Sequence, residues 1–190
     1  MSSSTSAAEM RLEPGYPFPL GAHRGDNGCN FAVFSPQATR VLLCFFDDQD
    51  QPWGEPLPLH RTGDIWHGHV PDLAPQTRYG YRAEGEFKPD QGALFNPNKL
   101  LLDPYAVALS GAFEPNRSLY SHDASDLTCL KPCPMDSAAM VPKGLTPAPD
   151  DFDWLNSRAP KTPWPDTVIY EAHVKGFSQL NPAVPEHLRG

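Results

Sequence analysis

Proline punctuates this chain so densely that it decides much of what the chain can become. There are 23 prolines against 14 glycines, spread from the first twenty residues to the last ten. Each proline removes a backbone donor and breaks a helix interior, and within a sheet it is confined to edges and bulges. A mainly helical protein is therefore excluded, and what remains is a fold of short strands joined by many loops. Aromatic residues at 11% favour a β-rich core or a surface that stacks on a ligand.

From Asn27 to about residue 86 the texture is that of strands. "NFAVFSP" is a short apolar strand ended by Pro36, and Val41 to Phe46 form a continuous apolar run, expected to be buried on both faces or to lie deep in a sandwich. "EPLPLHRTGD" carries prolines that allow it only at an edge. In "DIWHGHV", Trp66 and Val70 share one face while Ile65, His67 and His69 share the other. In "TRYGYRAEG", Tyr79, Tyr81 and Ala83 oppose Arg82 and Glu84. Short strands with a turn signal about every ten residues predict an antiparallel, immunoglobulin-like β-sandwich.

The flanks read differently. Residues 1–18 are expected to be a disordered tail, Ser-, Thr- and Ala-rich to about residue 12 and then an extended, Pro-punctuated lead-in. The sandwich is assigned to 19–112. Within it, "NPNKLLLDPYA" is too apolar to hang in solvent and is read as lying against another surface through Leu100, Leu101, Leu102 and Tyr105. Residues 113–163 are aperiodic and Pro-rich, too long for a simple loop, and are read as a linker or wrapping segment. Residues 164–190 contain one further buried-strand pattern, from Val168 to Val174.

Charge and motifs narrow the function. A net charge of −8 without a basic run argues against nucleic acid and anionic membrane as partners, and favours a neutral ligand or a protein surface. No apolar stretch approaches the roughly 20 residues of a membrane-spanning helix. The start lacks the basic and apolar regions of a signal peptide, so a cytoplasmic location is expected. Cys29, Cys44, Cys129 and Cys133 read as reduced thiols, because the C-x3-C pair has only His122 nearby to complete a zinc site. No metal and no cofactor is expected. His67 and His69 are assigned to the solvent face of their strand, and Asp47–Asp48 to a turn, since adjacent strand-end carboxylates project apart. The candidate sugar platforms are Trp53, Trp66, Tyr79 and Tyr81, whose flat rings suit the C–H face of a sugar. Alternating Trp and Tyr also fill cores, and exposure separates the two readings.

In order along the chain, "PLGAHRGDNGCNFAVFSPQATRVLLCFFD", "RTGDIWHGHVPDL", "RYGYRAEG", "FNPNKLLLDPYA" and "TPWPDTVIYEAHVKGF" resemble bacterial glycogen debranching enzymes and the isoamylases close to them. The resemblance runs from about Pro19 to Gly190. It implies a sandwich of carbohydrate-binding module family 48 type, then a (β/α)8 barrel of glycoside hydrolase family 13 and a C-terminal β-domain. It also implies retaining hydrolysis of α-1,6 branch links in glycogen and limit dextrin, by carboxylates on later barrel strands. "VIYEAHV" corresponds to the first barrel strand, and Glu171 and His173 match none of the catalytic carboxylates. A barrel needs about 250 residues and builds its site from several strand ends. The resemblance therefore implies the N-terminal part of such an enzyme, with no catalytic residues among these 190. Its expected partners are α-glucan (glycogen, limit dextrin or maltodextrin) and the missing catalytic barrel. The rival readings are a stand-alone glucan-binding module and the N-terminal part of a maltooligosyl trehalose trehalohydrolase.

Overall fold

The computed structural model describes residues 10–126, 128–148, 155 and 157–190. Two compact units divide the chain at residues 150 and 151. The first is all-β apart from isolated 3₁₀ turns. One sheet contains β1 (Gly21–Gly25), β2 (Gly28–Phe34), β5 (His60–Thr62) and β6 (Ile65–Val70), in the order β1-β2-β6-β5. The other contains β3 (Arg40–Phe46), β4 (Leu57–Pro58), β7 (Arg78–Glu84), β10 (Leu109–Ser110) and β11 (Lys143–Leu145), in the order β10-β11-β7-β3-β4. A small ribbon pairs β8 (Phe87–Lys88) with β9 (Ala93–Leu94). Every strand pair is antiparallel.

Alternation sorts the side chains as the pleat demands. Phe31, Val33, Trp66 and Val70 from the first sheet meet Val41, Leu43, Phe45, Tyr79, Tyr81 and Ala83 from the second. Phe31 stands edge-on to Tyr79 at 5.0 Å and to Phe45 at 5.7 Å, the geometry that ring quadrupoles favour. The apolar run of β3 is buried on both faces, as its unbroken pattern allows. Its other face, Cys44 and Phe46, packs under Leu100 with Leu42, Ala138 and Val141 alongside. The Pro-bearing edge segment does double service: β4 borders β3, and past Leu59 the chain crosses to border β6 as β5. Gly28 closes the β1–β2 hairpin at φ +116, where a Cβ would collide with the Val70 carbonyl oxygen and lie 2.8 Å from Pro71 Cα.

Two expectations about the flanks of the sandwich need correction. Residues 1–9 lie outside the described residues, but 10–18 are no tail. Met10 and Leu12 pack on the core, and Glu13 forms an antiparallel bridge with His69. The 113–163 segment is not simply a linker, since β11 inserts between β10 and β7. Ahead of β11, Asn96 donates to the carbonyls of Ser121 and Cys133, and Lys99 donates to those of Ser118 and Met135. This polar clamp holds the wrapping segment against the sandwich, and such pairing is invisible to hydrophobic periodicity.

The second unit, described from residue 155 onward apart from 156, contains one short α-helix, α1 (Val174–Gln179), two 3₁₀ turns and no strand over 168–173. His173 caps α1, its Nδ1 accepting from the Gly176 N–H at 2.7 Å. A barrel strand takes all its ladder bonds from neighbouring strands, and none borders this segment among the described residues. Val168, Ile169 and Tyr170 are all exposed.

Candidate functional site

The four proposed sugar platforms separate by exposure. Trp66 is 5% exposed, Tyr79 0% and Tyr81 2%, so none can offer a ring face to a ligand. Trp66 donates its indole N–H to the Ser35 carbonyl at 2.9 Å, and the Arg61 guanidinium lies 5.2 Å from its ring centre. Both tyrosine hydroxyls point at Asp103 Oδ2, at 2.7 Å from Tyr79 and 3.4 Å from Tyr81. Burial pushes both phenols well above their ordinary range, and the neighbouring Asp103 charge pushes them further. The core reading holds for these three because the "DPYA" loop brings a buried acceptor to them. Nothing in the spacing of that loop announces the contact.

Trp53 differs. It is half-buried, edge-on to Phe45 at 6.5 Å, and its backbone N–H donates to the Phe45 carbonyl. Its chain neighbours Pro52 and Gly54 line a groove of 350 Å³ on the outer face of the second sheet, with Pro97 and Asn98 opposite and Cys44 below. Along one wall the Arg82 Nη2 donates to both oxygens of Asp136, at 2.9 and 2.7 Å, while Nη1 donates to the Pro97 carbonyl. Burial alone would raise the Asp136 carboxyl, but the Arg82 hydrogen bond, the Ala138 N–H and the Arg82 charge together hold it below its ordinary value. A guanidinium–carboxylate pair beside proline and aromatic carbon is the mixture a sugar requires: planar polar groups for hydroxyls and apolar surface for C–H groups. Arg82 and Asp136 were not singled out from the sequence. They are 54 residues apart and only the wrapping segment brings them together.

The docking set also divides. Leu100 is 4% exposed and belongs to the small cluster with Cys44 and Phe46, so it has no free surface to offer. Tyr81 and Leu101 exchange backbone hydrogen bonds, a strand-like register that turns Leu100 inward onto Gly80 and leaves Leu101 outward. Leu101, Leu102 and Tyr105 are 45%, 37% and 51% exposed. Leu101 and Leu102 line a second groove of 160 Å³ with Phe34 and Pro104.

Both histidines of β6 are engaged in structure. His67 is buried, correcting its expected place on a solvent face. Its Nδ1–H donates to the Pro14 carbonyl at 2.6 Å, and its Nε2 lies 2.8 Å from the Thr62 hydroxyl. His69 donates to the Asn27 carbonyl at 2.7 Å. Among the described residues no cluster of three or more His, Cys, Asp or Glu could hold a metal ion. The four cysteines are free thiols, three of them buried. No described helix is long and apolar enough to cross a membrane.

Residues 19–106 match the family Carbohydrate-binding module 48 (Isoamylase N-terminal domain). The chain is 48% identical over 179 residues to the glycogen debranching enzyme of Yersinia enterocolitica, covering 94% of this chain and 26% of that one. It is 48% identical over 180 residues to the glycogen debranching enzyme of Pectobacterium atrosepticum, with the same coverage of both. The chain thus spans about a quarter of the length of these curated relatives. Among solved structures, the catalytic module of the multi-modular glycogen-degrading pneumococcal virulence factor SpuA superposes with a TM-score of 0.51 at 22% identity. That match covers 90% of this chain and 22% of the other, and speaks for the fold alone. The two antiparallel sheets, the match of residues 19–106 to the carbohydrate-binding module 48 model and the continuity of the similarity to debranching enzymes beyond that match all point the same way.

Proposed function

We propose that this chain is the N-terminal part of a glycogen debranching enzyme, a hydrolase of α-1,6-glucosidic links in glycogen and limit dextrin. Its sandwich binds α-glucan and seats the catalytic barrel; the chemistry of cleavage belongs to barrel carboxylates outside these residues. The observation that carries this reading is the 48% identity sustained over 94% of the chain, well past the sandwich itself. The groove beside Trp53, with the Arg82–Asp136 pair on its wall, is the glucan contact in this reading. The exposed side chains of Leu101, Leu102 and Tyr105 face the barrel. Residues 168–174 become its first strand once neighbouring strands supply the ladder. A cytoplasmic location accords with four unpaired cysteines.

Electrophoresis of the 190-residue chain through gels containing glycogen tests the binding claim. Retardation is expected, and Asp136→Ala, which removes an exposed carboxylate from the groove lining, should weaken it; mobility equal to that in plain gel removes the claim. Incubation with glycogen limit dextrin tests the assignment of chemistry, since detectable release of linear chains would place cleavage within these residues.

A further inference from the structure

The segment from Glu13 to Pro19 is held to the first sheet with more anchors than a lead-in needs. Glu13 exchanges two backbone hydrogen bonds with His69, at 2.8 and 2.9 Å. The Pro14 carbonyl takes the buried His67 imidazole. Gly15, at φ +63, lies so close to β6 that a Cβ would come within 2.7 Å of the Gly68 carbonyl carbon and the His69 nitrogen. Tyr16 is fixed at both backbone groups by one side chain: its N–H donates to Asn30 Oδ1 at 2.8 Å, and its carbonyl accepts from Asn30 Nδ2 at 3.0 Å. Pro14, Pro17 and Pro19 restrict φ at three of these seven positions. Yet the aromatic side chains this fixed backbone carries are turned outward, Tyr16 at 73% and Phe18 at 66% exposure.

We infer that this strap is a second α-glucan contact, in which Tyr16 and Phe18 stack on sugar rings on the opposite sheet from the Trp53 groove. The inference rests on the glucan-binding reading above and extends it to a new surface. Single exposed apolar residues are ordinary. Two flat rings one residue apart, on a backbone pinned by a buried histidine and a buried asparagine, are a presentation device. Little conformational freedom is left for a ligand to remove, which is the chief cost of binding through mobile side chains. The chemistry also separates this patch from the other exposed apolar surface. The groove at Leu101, Leu102 and Phe34 is largely aliphatic and concave, suited to protein side chains. The strap offers aromatic and proline rings, with the Tyr16 hydroxyl to meet a sugar hydroxyl. A neutral polyhydroxylated chain also meets no electrostatic penalty from a protein of net charge −8.

The test uses the full 190-residue chain, with glycogen in affinity gels and maltoheptaose in isothermal titration. Variants are Tyr16→Ala/Phe18→Ala, Tyr16→Leu/Phe18→Leu, and, for the groove, Asp136→Ala. Because both side chains are exposed, the strap variants should melt as the unmodified chain does. Loss of two stacking contacts predicts association weaker by about tenfold in the alanine pair. The leucine pair should be similarly weak, since leucine keeps apolar area without a flat face. Binding within about twofold of the unmodified chain in the alanine pair, with Asp136→Ala impaired, overturns the strap and leaves the groove standing. Full recovery in the leucine pair overturns stacking, because the sugar contact would then need apolar area and no flat ring. If the unmodified chain binds neither glycogen nor maltoheptaose, the glucan reading falls and the strap falls with it.

Discussion

Removing one oxygen atom, in Tyr79→Phe, tests the polar centre of the core. The Tyr79 hydroxyl donates to Asp103 Oδ2 at 2.7 Å, and Asp103 is 2% exposed. Without it, Oδ2 keeps only the Tyr81 hydroxyl at 3.4 Å, while Oδ1 keeps the Tyr105 N–H at 2.8 Å. The ring itself stays, edge-on to Phe31 at 5.0 Å, so no cavity of side-chain size opens. The loss is then a hydrogen bond to a buried charged acceptor, about 1.5–3 kcal/mol. For a chain of this length that corresponds to a fall in melting temperature of about 3–12 °C. Urea unfolding followed by tryptophan fluorescence should show a lower midpoint with an unchanged slope. Combining the change with Asp103→Asn completes a double-mutant cycle, in which the pair should couple by at least about 1 kcal/mol. Effects that add within about 0.5 kcal/mol would refute the reasoning, because the two groups would then act independently.

Other consequences follow from the same contacts. Tyr79 and Tyr81 both hold their protons in the fold beyond the range where an unfolded tyrosine ionises. Stability should therefore decline once pH passes about 10, by about 2.7 kcal/mol per pH unit for two tyrosines; phenolate absorbance exceeding that of the four exposed tyrosines, Tyr16, Tyr105, Tyr120 and Tyr170, before the structure is lost would contradict it. Lys143→Ala leaves the Ala138 and Val141 carbonyls without their donor and removes the cation 3.7 Å from Asp50, at a cost of about 2–4 kcal/mol in chemical denaturation. A loss below about 0.5 kcal/mol would show that water replaces the ammonium there. Native alkylation with iodoacetamide at pH 8 should modify Cys129 alone. Burial pushes Cys29 up to about 12 and also raises Cys44, and Cys133 is 1% exposed; mass spectrometry finding a second labelled thiol would contradict the packing.

Period-two alternation carried the sandwich: β2, β3, β6 and β7 lie where the pattern places them, with Trp66, Tyr79 and Tyr81 inward. It could not say what covers the outer faces. His67 looks solvent-facing from β6 alone, and only the strap, 53 residues earlier in the chain, buries it. Leu100, Leu101 and Leu102 look equivalent as a run, whereas the bridge to Tyr81 separates them into one core residue and two surface ones. β11 has three residues, a buried lysine, a glycine and one leucine, too few to carry a hydrophobic alternation. The groove was half legible: Trp53 stood out as an aromatic, but Arg82 and Asp136 meet through tertiary contact between polar residues, which no periodicity records.

The position of β11 has a practical corollary for anyone trimming the protein. Cutting at residue 106, where the family match ends, would remove the strand that pairs with Arg78 and Tyr79 on β7. It would also remove Thr146, whose hydroxyl accepts the Thr77 N–H and whose own N–H donates to the Thr77 carbonyl. The trimmed module would present a raw β7 edge, backed by buried tyrosines and open to pairing with another copy. A useful excision point lies past residue 148, so the minimal independent piece is about half as long again as the 19–106 family match suggests.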